Sequence, residues 1–124
     1  VILRGSSTGT NYDKKNVLET YKRLEKSNLN ARLMIDCSHG NSSKNHLNQP
    51  KVVGEISSQL EQNNHICGVM LESFLEEGNQ SLTTKKSLKY GQSITDACMA
   101  WETTTPVLYQ LADAVDKRRN ASST

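Results

Sequence analysis

Hydrophobic and polar positions alternate between short apolar runs and longer segments with helical spacing. Leu33-Met34-Ile35 is a compact apolar run that breaks abruptly into Asp36, Cys37, Ser38, His39, Gly40 and Asn41. Such a run reads as a buried strand that hands polar side chains to a loop at its C-terminal end. The same pattern occurs twice more: Val1-Ile2-Leu3 ends in Arg4-Gly5, and Ile66 to Leu71 ends in Glu72-Ser73. Three strand ends therefore carry Arg4, His39 and Glu72.

Between these runs the spacing is helical. Asp13 is a candidate N-cap for a helix over Lys14 to Lys26, where Val17, Leu18, Tyr21 and Leu24 share one face. Ser27 to Asn30 supplies a polar break. Pro50 suits the first turn of a second helix, whose apolar face is Val52, Val53, Ile56 and Leu60 and whose end is expected near Asn63-Asn64. Gly68 inside the third run allows close packing or a bulge. The polar stretch from Glu76 to Gln92 exceeds ordinary connection lengths and is expected to cover a site. A short helical turn is expected from Thr95-Asp96 to Trp101. A last helix follows over Thr103 to Arg119, with Val107, Leu108, Leu111 and Val115 at helical spacing, and then a polar tail.

The order is thus strand–helix three times over, with strands about 35 residues apart, the period of parallel βα units with right-handed crossovers. Three units match part of a (β/α)₈ barrel, which needs about 250 residues in all. A doubly wound open sheet is the alternative. The barrel is preferred because all three strand ends bear reactive polar groups, whereas an open sheet works mainly at its switch point. The chain begins inside an apolar run without Met, so preceding chain is expected and residues 1–124 are read as the C-terminal part of one domain.

Composition narrows the class. With 124 residues, 35% hydrophobic, 23% charged and net charge +2, the chain is an ordinary globular domain. No apolar run approaches the roughly 18 residues of a membrane span, and no secretory leader is visible. The charge gives no case for nucleic acid, since the basic cluster Lys117-Arg118-Arg119 falls where cations complement a helix dipole. Cys37, Cys67 and Cys98 form no CxxC pair and are odd in number, a poor disulfide framework that points to a reducing cytosol. Cys37 beside His39 could be a nucleophile, but in a strand it is first a small buried hydrophobe.

His39, Glu72 and Asp96 are the candidate metal ligands. An imidazole with two carboxylates suits Mn²⁺, Fe²⁺, Co²⁺ or Zn²⁺. Their spacing matches no local ligand motif, and Asp96 beside Thr95 could equally be a helix N-terminal charge. Arg4 is a candidate anion ligand, because guanidinium grips phosphate or carboxylate through two parallel hydrogen bonds; a surface ion pair is the alternative. Ser42-Ser43-Lys44 adds hydroxyls and a cation beside His39 that could help hold an anion, but reads first as the start of a solvated loop.

Taken together, VILRG (1–5), MIDCSHGNSSK (34–44), GVMLESFLEEGNQ (68–80), YGQSITDACMAWE (90–102) and LADAVDKRR (111–119) closely resemble the C-terminal part of the 3-deoxy-D-arabino-heptulosonate-7-phosphate (DAHP) synthases. The branch is the aromatic-amino-acid-regulated one of enterobacteria and fungi. The resemblance implies a (β/α)₈ barrel and an aldol-like condensation of phosphoenolpyruvate with erythrose 4-phosphate, releasing phosphate, at the head of the shikimate pathway. It implies that His39, Glu72 and Asp96 bind one divalent metal ion, that Arg4 binds the phosphate of phosphoenolpyruvate, and that His39 lies near that substrate. It further implies a cytoplasmic homo-oligomer open to an aromatic amino acid effector. The family's cysteine ligand and its Lys-Pro-Arg-Thr segment have no counterpart among these residues, so the isolated chain is expected to be inactive. A second functional class stays open: a shortened, non-catalytic chain that binds a partner. A small phosphate-binding domain of another family would rest on Arg4 and the loops alone.

Overall fold

The computed structural model describes residues 1–83 and 87–123. Its elements, in chain order, are β1 (Ile2–Leu3), α1 (Lys14–Lys26), β2 (Leu33–Asp36), α2 (Gln49–Leu60), β3 (Ile66–Met70), β4 (Ser73–Phe74), β5 (Met99–Ala100) and α3 (Trp101–Ser122). Two short 3-10 turns, His39–Ser42 and His46–Asn48, carry the chain from β2 to α2.

β1, β2 and β3 form a parallel sheet in sequential order, with Leu3 opposite Ile35 and Ile35 opposite Val69. This row, together with Leu33 and Cys37, faces the helices and meets Val17 and Leu24 of α1, Val52, Val53, Ile56 and Leu60 of α2, and Val107 and Ala114 of α3. Leu33, Ile35, Val53 and Ile56 are fully buried. Removing each such side chain from water contributes about 1.5–3 kcal/mol, which makes this layer the core. The opposite row contains Ile2, Met34 and Gly68, and Ile2 is 57% exposed, so the sheet is covered on one side by this chain's own residues.

Local signals explain the boundaries. The Asp13 carboxylate accepts from the Asn16 N–H and starts α1 at Lys14, as its side-chain chemistry predicts. Pro50 lies in the first turn of α2, where a missing N–H costs nothing. Gly68 does both things expected of it. The register between β2 and β3 slips beside it, and a Cβ there would stand 3.2 Å from Met34 Cε.

Three local expectations differ from the structure. α2 ends at Leu60, and the chain to Asn64 continues in turns capped by Ser57 and Gln59 carbonyls. The stretch from Thr95 to Ala100 is not helical: it bends into β5, which pairs in parallel with β4 (Ser73 opposite Met99, Phe74 opposite Ala100). α3 accordingly begins at Trp101, with Leu108 left 44% exposed while Val107 is buried. The ladder takes the backbone groups that a helical turn would otherwise have satisfied internally. Of the polar stretch 76–92, residues 84–86 lie outside the described residues. The part before them is tied back by Gly78 N–H to the Cys98 carbonyl and Gln80 N–H to the Ser93 carbonyl. No helix among the described residues is long and apolar enough to cross a membrane.

Candidate metal and anion site

The parallel sheet delivers its polar residues to one rim. His39 sits three residues past β2 in a left-handed backbone conformation, φ +47, that only surrounding contacts can hold. Those contacts are explicit. Asp36, 1% exposed, receives the Ser38 N–H (2.8 Å) and Ser38 hydroxyl (2.6 Å) on one oxygen and faces His39 Nδ1 at 2.7 Å with the other. With Nδ1–H donated to Asp36, Nε2 keeps its lone pair directed outward. That free nitrogen lies 3.3 Å from Glu72 Oε1 and 3.8 Å from Asp96 Oδ2. Ligand atoms of His39, Glu72 and Asp96 all fall within 4.8 Å of one another.

The donor set fits a divalent cation. One imidazole nitrogen and two carboxylates converge, and the two anionic groups are left facing each other. Burial pushes the Glu72 carboxyl above its ordinary range; the His39 ring opposes this, while the charges of Asp96 and Asp36 add to it. A cation between them removes that repulsion and takes up the nitrogen lone pair. Asp36 is the residue that sequence reasoning missed. Its signal was present, since an acid three residues before a candidate His ligand is the spacing of a carboxylate that orients the ring.

Arg4 is brought to the same rim by a backbone seam between the ends of β1 and β2. Buried Asn41 donates from its amide to the Leu3 and Asp36 carbonyls, and its N–H donates to the Arg4 carbonyl at 3.0 Å. Its amide oxygen accepts from Asn11 N–H, and Asn11 in turn accepts from Gly5 N–H. Gly5 has φ +71, and a Cβ on it would stand 2.5 Å from Asn41 N, so no larger residue fits the seam. Arg4, His39 and Lys44 line two adjoining clefts of 570 and 510 Å³. The first is completed by Ser6, Thr8 and Gly40, the second by Glu72, Asn79 and Asp96. Lys44, read from sequence as a loop residue, is thus a second cation beside Arg4.

The cysteines add no disulfide to this site. All three are free, and burial pushes the Cys37 thiol up to about 12, which removes it as a nucleophile. Two cations of the basic cluster near the end of α3 are occupied structurally: Lys117 pairs with Glu61 and Asp113, and Arg118 donates to the Asn63 carbonyl.

The arrangement defines a class: an α/β chain with parallel strands, a histidine–carboxylate cluster at their C-terminal rim and an adjacent basic cleft. Residues 1–109 match the model of the DAHP synthetase I family, and the chain belongs to that family. It is 55% identical over 124 residues to the tyrosine-inhibited phospho-2-dehydro-3-deoxyheptonate aldolase of Schizosaccharomyces pombe, covering 96% of this chain and 33% of the relative. It is 48% identical over 120 residues to the Phe-sensitive enzyme of that name from Escherichia coli, covering 96% and 34%. The solved structure of phospho-2-dehydro-3-deoxyheptonate aldolase from Francisella tularensis superposes with a TM-score of 0.92 at 47% identity, over 95% of this chain and 34% of that one. The chain spans about a third of the length of the curated relatives it matches.

Proposed function

We propose that residues 1–124 form the C-terminal three βα units of a (β/α)₈ barrel in a single-domain DAHP synthase, the first enzyme of the shikimate pathway to the aromatic amino acids. The reaction is the condensation of phosphoenolpyruvate with D-erythrose 4-phosphate and one water to DAHP and phosphate, the water supplying the oxygen that replaces the departing phosphate. The observation that carries this reading is the meeting of His39, Glu72 and Asp96 within 4.8 Å beside the Arg4–Lys44 cleft. The sequential parallel order β1-β2-β3, with one face of the sheet open, supports the barrel over a doubly wound sheet.

His39 Nε2, Glu72 and Asp96 would hold one Mn²⁺, Fe²⁺, Co²⁺ or Zn²⁺ ion. When bound, the ion supplies Lewis acidity toward the aldehyde oxygen of erythrose 4-phosphate. The rest falls to the chain's own residues. Arg4 grips the phosphate of phosphoenolpyruvate through two guanidinium N–H groups, and Lys44 adds a second positive charge to the same cleft. This fixes the nucleophilic carbon near the aldehyde and neutralises the leaving phosphate. Asp36 holds the His39 ring in one tautomer and one orientation, so that no reorganisation is needed as charge develops. Homo-oligomer formation and inhibition by an aromatic amino acid are proposed for the whole enzyme; relatives are named as Phe-, Tyr- and Trp-sensitive or -inhibited.

The test is His39→Ala and Glu72→Ala in the intact synthase, assayed for phosphate release before and after chelation. Both variants should lose metal-dependent turnover by about a hundredfold or more, beyond the loss typical of removing a supporting partner. Wild-type rates in either variant after metal stripping would sink the assignment.

A further inference from the structure

Gln49 is the first residue of α2 and is 0% exposed, although its side chain is a polar amide. A buried amide costs stability unless both ends are hydrogen-bonded. Here both ends go to one residue: Gln49 Nε2 donates to the Glu72 carbonyl at 3.0 Å, and Gln49 Oε1 accepts the Glu72 N–H at 2.9 Å. The side chain thereby acts as a strand partner for a single peptide, just beyond the last residue of β3. The Glu72 carbonyl also accepts Met99 N–H at 3.0 Å, so the same point joins β5 to the sheet end.

We propose that Gln49 is a positioning residue for the metal centre: it fixes the Glu72 backbone on both sides and so aims the Glu72 carboxylate at His39 Nε2. This rests on the metal reading above. With the Glu72 N–H and C=O both held, its Cα–Cβ direction is set, and the carboxylate has only its own torsions left to reach the ion. Metal sites demand placement within about 0.5 Å, which a free strand end does not provide. The Glu72 side chain is 24% exposed and meets His39 at 3.3 Å and the Asp96 carboxyl, neither of which holds its backbone. Gln49 and Asp36 are thus matched supports, one for each of the two better-buried ligands, acting through backbone in one case and through the ring in the other.

The experiment compares intact wild-type synthase with Gln49→Met, Gln49→Glu and Glu72→Ala. Three readouts are taken: Mn²⁺ affinity by electron paramagnetic resonance, the visible spectrum of the Co²⁺-loaded protein, and thermal melting without metal. Gln49→Met keeps the volume and removes both bonds. It should bind Mn²⁺ about 10–100-fold more weakly with an altered Co²⁺ spectrum. Gln49→Glu keeps an acceptor for the Glu72 N–H but sets a second oxygen against the Glu72 carbonyl, so it too should bind Mn²⁺ more weakly than wild type, and it decides the matter if Gln49→Met does not fold. A folded variant with wild-type Mn²⁺ affinity and an unchanged Co²⁺ spectrum overturns the proposal, whatever its melting temperature. If wild type and Glu72→Ala bind Mn²⁺ alike, the metal reading itself fails, and this inference falls with it.

Discussion

The two ends of the candidate metal cluster are built very differently. On the β2 side, His39 is held by buried Asp36 and Ser38, with both carboxylate oxygens of Asp36 engaged and the ring 29% exposed. On the β5 side, Asp96 has a side chain 71% exposed and sits on bends before a two-residue strand. That segment is secured mainly through neighbours, by Asn79 donating to the Thr95 carbonyl and by the Gly78–Cys98 bridge. One side is preorganised and the other adaptable. A ligand that is already aimed contributes its full binding energy, whereas one that must be ordered loses part of it to conformational entropy.

The contrast can be broken by substitution. Asp36→Ala should weaken metal binding about 10–100-fold without touching a ligand, because the ring loses its orientation and tautomer preference. Titration with Mn²⁺ checks it, and an effect below that of Asp96→Ala would reverse the proposed order. Asp96→Ala should cost less, roughly tenfold, since an exposed carboxylate is replaced at the ion by water with modest loss. Gly5→Ala acts on the Arg4 side of the rim. The left-handed backbone and the 2.5 Å approach to Asn41 should cost roughly 1–3 kcal/mol in stability. Thermal melting measures that loss, and a raised KM for phosphoenolpyruvate should accompany it with little change in metal affinity. The smallest effect is expected at Cys37. Its thiol, held up to about 12 by burial, should resist alkylation at pH 8 in the folded protein and react only on adding denaturant. The sign for stability follows: the unfolded thiol ionises near 9 and the folded one near 12, so its contribution is intact below pH 9 and is lost as pH rises toward 12.

α1, β2 and the start of α2 were legible because each is specified locally: an Asp cap, an apolar run, a Pro in the first turn and a helical stripe. His39, Glu72 and Arg4 were legible for a related reason, as polar residues directly after apolar runs. Asp96 was less legible: its carboxylate made it a candidate ligand, but its own neighbourhood reads equally as a helix start, and the resemblance weighed most for it. Lys44 and Asp36 were visible but undervalued, one as loop charge and the other as strand terminus.

The sequence by itself determined the succession of βα units, the caps, and the rim on which the polar residues would gather, since periodicity and capping are properties of adjacent residues. Only the tertiary structure decided the pairing of β4 with β5, the amide clamp from Gln49 to Glu72 across 23 positions, and the approach of Asp96 to His39. Two-residue strands carry no period to read, and a buried amide finds its partner only once the sheet and α2 have packed. The gathering of the candidate ligands is a consequence of that packing, whereas the strands that present them are a consequence of the chain.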